Sequence, residues 1–409
     1  MATDSSAFVM PAEQQISAAF LRWRRVEEPG QPARAGQRFF WARNAIYHAL
    51  SVLGIGPADE VLLPAYICNA AVEPVLGRGA EVGFYDVGRD CEVDPAEIEA
   101  RIGRRTRAVV IVHYFGFPQR VERLRELCDR RGVLLIEDCA HVLRSEGRGH
   151  AMGRVGDAAV FSWRKFLPVR DGAALVVNGS NRIEQADGER ESLMLAMRSV
   201  KDLVDQVIGR SRSKWVKQVY RWAQAPKELL RRRLDASEVP MEHDEVVFEA
   251  RTAACPVSRV SSWVLAHSDT ASIAARRREN YTFLLEALRG VGRITPLHPV
   301  LGAGLCPWVF PVFFDGIPNG HWGLRDRGVP AVSWGGVRHR LIAEGAYPGA
   351  DFLYENLVFL PVHQSLEREH LELIARCAEA VARGGQVETV RTRTGGVATG
   401  SDRASSGPP

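Results

Sequence analysis

The chain has 409 residues, 46% hydrophobic and 25% charged, and its 53 basic and 49 acidic residues leave a net charge of only +4. These proportions fit a globular protein with one large and one smaller domain, and so small a charge makes no demand for nucleic acid as a partner. Seven scattered cysteines, with no CxxC pair, point to reduced thiols and away from a disulfide framework or a zinc site. The first fifteen residues lack an apolar signal core, and no apolar run approaches the ~20 residues of a membrane span. A cytoplasmic protein is expected.

In chain order, residues 1–35 read as a polar lead with one short helix near Ile16–Trp23. A helix is predicted over Ala45–Leu53, entered from a polar cap at Asn44. Strands follow at Glu60–Leu63, closed by Pro64, and at Glu81–Tyr85. Ala108–His113 is an unbroken apolar run of the kind found in buried strands. Arg120–Arg131 has helical periodicity, and Val133–Ile136 is a strand ending at Glu137-Asp138. Two more strands are predicted at Ala158–Ser162 and Ala173–Val177. Short apolar strands separated by helices predict an α/β fold with a mostly parallel sheet between helical layers. Functional residues of such sheets sit at the carboxyl ends of strands, where His113, Asp138 and Ser162 fall.

Beyond 180 the pattern changes. Lys201–Arg233 holds ten basic residues against three acidic ones, with Trp215, Tyr220 and Trp222 among them. Long helices are predicted over 256–290, with Arg276-Arg277-Arg278-Glu279 as a surface run. Strands are expected at 308–314 and Val329–Trp334, and a last helix at Glu367–Ala382. The predicted organisation is a lead (1–35), a large domain (36–250) with a basic helical insert (195–240), a small α+β domain (251–385) and a disordered tail (386–409).

Arginine outnumbers lysine 48 to 5, and four of the five lysines (Lys201, Lys214, Lys217 and Lys227) lie in the basic stretch. The fifth, Lys165, stands alone in Phe161-Ser162-Trp163-Arg164-Lys165-Phe166-Leu167-Pro168. Arginine stays protonated, whereas lysine can lose its proton and attack a carbonyl. Lys165 is therefore a candidate Schiff-base residue, and the charge of Arg164 beside it favours the neutral amine. A pyridoxal phosphate site needs such a lysine, a carboxylate facing the pyridine nitrogen, and hydroxyls or amides for the phosphate. Asp138 ends a strand 27 residues earlier, Ser162 lies three residues before the lysine, and Asn44-Ala45 opens a helix. Taken singly, these residues also read as a helix cap, a strand-end serine and a plain N-cap.

Several ordered segments resemble the fold-type I aminotransferases of the DegT/DnrJ/StrS family, which make amino sugars. They are residues 50–66 (Leu50 to Tyr66), Gly79-Ala80-Glu81-Val82 with Asp86, and Thr106-Arg107-Ala108-Val109-Val110. His113-Tyr114-Phe115-Gly116, Ile136-Glu137-Asp138-Cys139-Ala140-His141, the run Gly153 to Ser162, and Leu360-Pro361-Val362-His363-Gln364-Ser365-Leu366 complete the set. The resemblance implies the PLP-dependent transferase fold and a homodimer. It implies Lys165 as the internal aldimine lysine and proton shuttle, Asp138 at the pyridine nitrogen and His141 near the phenolic oxygen. Asn44, Ala45 and Ser162 would form the phosphate cup. Three departures stand out: the lysine loop, Trp163 to Gly172, is shorter and less glycine-rich than the family's, Cys68 occupies the place of a ring-stacking aromatic, and no asparagine occurs near Ala254-Cys255-Pro256.

The implied reaction is transfer of an amino group from an amino acid, glutamate first, to a keto-sugar, nucleotide-linked in the leading case. A PLP-dependent dehydrase or lyase and a non-catalytic binding or regulatory member are the alternatives. Dehydrating relatives replace the lysine with histidine, so the retained Lys165 argues against the first. Three readings of the insert 201–233 stay open. It could be a helical flap, a grip for an anionic substrate, or a contact with an acidic membrane surface or partner.

Overall fold

The structure is a computed structural model that describes residues 10–26, 36–144, 152–178 and 253–384, together with 201, 204, 248 and 250. Apart from Lys201 and Val204, the basic insert lies outside the described residues, as does the tail from 386.

Seven strands form the main sheet: β1 (Gln37–Phe39), β2 (Glu60–Pro64), β3 (Glu81–Tyr85), β4 (Thr106–Val112), β5 (Leu134–Cys139), β6 (Ala158–Ser162) and β7 (Ala173–Val177). Their order is β1-β7-β6-β5-β4-β2-β3. Strands β3, β2, β4, β5 and β6 are mutually parallel, whereas β7 runs antiparallel to both β6 and β1. Every residue of β6 is buried, and in β4 only Arg107 is exposed. This is the apolar, two-sided burial that parallel strands between helical layers require.

The helices beside this sheet are α1 (Ala42–Val52), α2 (Asn69–Gly77), α3 (Pro95–Arg101) and α4 (Val121–Arg131). In α4, Val121, Leu124, Leu127 and Cys128 recur at three- and four-residue spacing and form the buried face. Gly132 ends the helix in the left-handed conformation, and Arg130 and Arg131 complement the negative end of its dipole.

After residue 253 come α5 (Arg259–His267) and α6 (Thr270–Ala287), the latter capped by the Asp269 carboxylate, which accepts the Ser272 N–H. A second, antiparallel sheet of β8 (Ile294–Pro296), β9 (Val309–Phe314) and β10 (Leu357–Pro361) has the order β10-β9-β8. Helices α7 (Gly320–Arg325), α8 (Pro348–Asn356) and α9 (Arg368–Ala382) complete it.

Three expectations need correction. Helix α1 begins at Ala42 with Trp41 as its N-cap, three residues before the predicted start. The short N-terminal helix is a single 3-10 turn at Ala18–Phe20. Val329–Trp334 is no strand: only Val332 bridges to Phe359. Pro330 has no N–H to give a ladder, and Trp334 already turns into the 3-10 segment Gly335–Val337.

Candidate active site

The parallel strands deliver their carboxyl ends to one edge of the main sheet. Val112 of β4 pairs in register with Asp138 of β5, and Asp138 with Val160 of β6. Ser162 closes β6, and a single 3-10 turn, Trp163–Lys165, follows it at once. Lys165 therefore stands one turn past a central strand, near the carboxylate that ends its neighbour.

The Lys165 Nζ lies 2.7 Å from His141 Nε2 and 4.3 Å from the centroid of the Trp308 ring. His141 is stacked on Trp308, with centroids 4.2 Å apart, and its Nδ1 accepts the Phe115 N–H at 3.2 Å. Burial holds His141 well below the usual imidazole range, and a positive charge on Lys165 would only lower it further, so the ring is neutral. Burial pushes the Asp138 carboxyl up; the Ala140 N–H it accepts at 2.8 Å works the other way, as would a positive charge on Lys165. Phe115, Trp334 and Phe359 surround the His141–Trp308 pair.

The short lysine loop is clasped through its backbone. Gln14 Nε2 donates to the carbonyls of Arg164, at 2.6 Å, and Leu167, at 3.0 Å. Gln364 Nε2 donates to the Phe166 carbonyl at 2.7 Å, and Arg277 reaches the Lys165 carbonyl at 3.5 Å. Arg277 also donates to Gln364 Oε1 and to the Pro307 and Trp308 carbonyls. Its guanidinium is fully buried, and burial pulls it down to about 10. The surface reading of residues 276–279 is thus wrong for Arg277. Arg164, by contrast, is exposed, so water screens the influence expected of it on Lys165.

The remaining predicted residues are arranged as follows. Ser162 is buried at the end of β6. Cys68 is the N-cap residue of α2; burial raises its thiol, and both Lys165 and Asp138 act on it electrostatically. Asn44 and Ala45 are buried in the first turn of α1, but their N–H groups already donate to the Trp41 carbonyl. The first amides of α1 belong to Ala42 and Arg43, ahead of the predicted pair.

His113 has a structural part. Its Nε2 donates to Glu137 at 2.8 Å and its Nδ1 accepts the Gln119 N–H. Glu137 also accepts the N–H groups of Gly153, Val155 and Gly156, at 2.6–2.8 Å. Burial alone would raise this carboxyl, but the His113 bond and the amides outweigh it and hold it below the usual range. His113, Glu137 and Cys139 are close enough to share a metal ion, but both Glu137 oxygens are already saturated by N–H donors.

These residues fit a pyridoxal phosphate. A lysine amine, a buried carboxylate and a helix entrance converge on one sheet edge. The buried side-chain oxygens of Tyr66 and of Asn69, next to Cys68, have no hydrogen-bond partner among the described residues. Tyr66 packs on Trp334, 4.9 Å between centroids, and Trp334 on His141.

The profile of the DegT/DnrJ/EryC1/StrS aminotransferase family matches residues 42–205. This stretch is similar to that family. It is 33% identical over 144 residues to GDP-perosamine synthase of Vibrio cholerae, covering 34% of this chain and 39% of that protein. It is 34% identical over 176 residues to L-glutamine:2-deoxy-scyllo-inosose aminotransferase of Streptomyces kanamyceticus, covering 38% and 41%. The chain thus spans about two-fifths of the length of these relatives. The fold extends further. Spr1654 of Streptococcus pneumoniae, solved in its PLP form, superposes with a TM-score of 0.63 at 18% identity over 92% of this chain and 99% of that one. The α/β transferase fold read from the sequence is the fold of the chain. Among the described residues, no helix is long and apolar enough to cross a membrane.

Sequence reasoning missed Gln14, Phe115, Arg277, Trp308 and Gln364 as parts of the site. Only Arg277 left a periodic signal: Ile273, Arg277, Tyr281 and Leu284 recur at the spacing of one buried helix face.

Proposed function

We propose that the protein is a PLP-dependent aminotransferase that moves an amino group from glutamate or glutamine to a keto-sugar or keto-cyclitol. The single observation that carries this is the Lys165 amine, 2.7 Å from a neutral imidazole and one strand away from the buried Asp138. The relatives named for GDP-perosamine synthesis and for L-glutamine:2-deoxy-scyllo-inosose transamination support the substrate class. When bound, the cofactor would supply an electron sink for the carbon that loses its proton.

The protein's own groups do the rest. Asp138 keeps a proton on the ring nitrogen, favoured there by Coulomb attraction in a buried setting. Lys165 Nζ holds the cofactor, then takes the proton from the substrate carbon and returns it. His141 would hold the cofactor's phenolic oxygen. Ser162 and the α1 entrance at Ala42–Asn44 would hold the phosphate, with Ala45 behind them. Cys68 would cover the ring, and Trp308 and Trp334 would exclude water from the amine.

The same reading takes the working unit as a cytoplasmic homodimer, as the family resemblance supports. It divides the chain into a large domain (36–250) and a small one (251–385), consistent with one sheet in each.

The test is a half-reaction. Protein loaded with PLP is mixed with glutamate or glutamine, and pyridoxamine phosphate is quantified. Stoichiometric conversion by either donor is expected. Tight PLP binding without conversion by either would hand the assignment to a lyase, and absence of PLP binding would remove both.

A further inference from the structure

The hydrogen bonds around His141 fix more than its position. A neutral imidazole carries one proton, on one nitrogen. His141 Nδ1 accepts the Phe115 N–H, so the proton sits on Nε2. Nε2–H must then donate to its other partner, Lys165 Nζ, at 2.7 Å. An ammonium has no lone pair to accept that bond. We infer that the Phe115 backbone N–H, acting through the tautomer of His141, holds Lys165 as an uncharged amine before it meets an aldehyde.

The backbone is shaped for this task at a cost. Phe115 is a non-glycine residue at φ 59°, ψ 11°, in the left-handed region. That conformation turns its N–H to His141 while its carbonyl accepts the Trp308 N–H at 2.9 Å. Gly116 follows at φ 91°; a Cβ there would lie 2.5 Å from the Cys306 carbonyl oxygen and 2.9 Å from that of His141. The turn is pinned on both sides.

Other groups near Lys165 are consistent with an amine. Asp138 and the Cys68 thiol both act on it, and burial shifts each of them toward its uncharged form. The Trp308 face accepts an N–H of Nζ in either state, as an N–H···π contact of the amine or a cation–π contact of the ammonium. Arg277, against the Lys165 carbonyl, adds positive charge, which disfavours an ammonium, whereas the charge of the exposed Arg164 is screened by water.

This inference rests on Lys165 as the imine-forming residue, and its test separates the two claims. Apo-protein is exposed to PLP across a pH series and quenched with borohydride. The amine adds to the aldehyde carbon, water leaves, and hydride fixes the new C–N bond; label on Lys165 is then read by peptide mass spectrometry. His141→Gln supplies the same acceptor to Phe115 and the same donor to Lys165, so its labelling midpoint should stay close to that of the wild type. His141→Glu offers only acceptors, draws Lys165 toward the ammonium, and should raise the midpoint by about one unit or more. Gly116→Ala should raise it as well, by displacing the Phe115 N–H while keeping both side chains.

Where a variant does not fold, the wild-type apo-protein decides. With 15N-labelled histidine, and His141→Gln for assignment, Nδ1 of His141 should resonate as an unprotonated nitrogen and Nε2 as a protonated one from about pH 6 to about pH 9. A proton on Nδ1, or a His141→Glu midpoint equal to that of the wild type, would overturn the inference and leave the role of Lys165 intact. No label on Lys165 at any pH would remove that role itself.

Discussion

Glu137→Gln is the sharpest test of how the loop before the lysine strand is built. Glu137 is fully buried and accepts four N–H donors: His113, Gly153, Val155 and Gly156. A glutamine keeps one oxygen, so its amide nitrogen must face the two donors at the other position. Two hydrogen bonds to a charged acceptor are lost, each contributing roughly 1.5–3 kcal/mol, and two buried donors are stranded. A destabilisation of about 3–5 kcal/mol follows. With an unfolding entropy of roughly 2.1 cal/mol/K per residue, this corresponds to a drop of about 4–6 °C in Tm. The acid limb carries the same signature. Because the folded carboxyl lies below its unfolded value near ~4.3, its contribution is complete above that pH and is lost as pH falls through the folded value. In calorimetric scans from about pH 7 to about pH 3 the Tm difference between the two proteins should shrink toward the acid end. A Tm within about 1 °C of the wild type at neutral pH would refute this account of Glu137.

The remaining predictions concern the site itself. Asp138→Asn should still bind PLP but lose about 100-fold or more in turnover, because the ring nitrogen no longer keeps its proton; steady-state rates with either donor read this, and unchanged turnover contradicts the role of Asp138. Lys165→Ala should lose at least about 1000-fold in turnover; a smaller loss would contradict the shuttle. Arg277→Lys keeps the charge but loses the planar fork that reaches Gln364 and three carbonyls, so Tm should fall and PLP affinity should weaken about tenfold. An Arg277→Lys protein with wild-type Tm and PLP affinity would show that the clasp on the lysine loop does nothing.

The ends of β3, β6 and β7 agree with the sequence reading, whereas those of β4 and β5 lie one to three residues from it. The start of α1 was not legible, because Trp41 caps it without a side-chain hydrogen bond, whereas Asn44 offers a familiar capping side chain inside the first turn. Lys165 was singled out by its isolation among the lysines and Asp138 by its strand end, whereas His141 came from the family resemblance alone; the structure sets Lys165 Nζ 2.7 Å from His141 Nε2. The clasp around them was not legible. Gln14 lies 150 residues before Arg164, and Gln364 lies 198 residues after Phe166; pairing at that range leaves no local pattern. Arg277 was hidden by its neighbours Arg276 and Arg278, which make an arginine run look solvated. Its burial is satisfied by carbonyl oxygens, and no carboxylate on a nearby turn announced it. The left-handed Phe115 was equally silent, since any aromatic before a glycine reads as an ordinary turn residue.

The central claim is that one lysine of five carries the chemistry. Protein loaded with PLP, reduced with borohydride and digested, should yield a single phosphopyridoxyl peptide containing Lys165. Label on one of the other four lysines, or none at all, would contradict it.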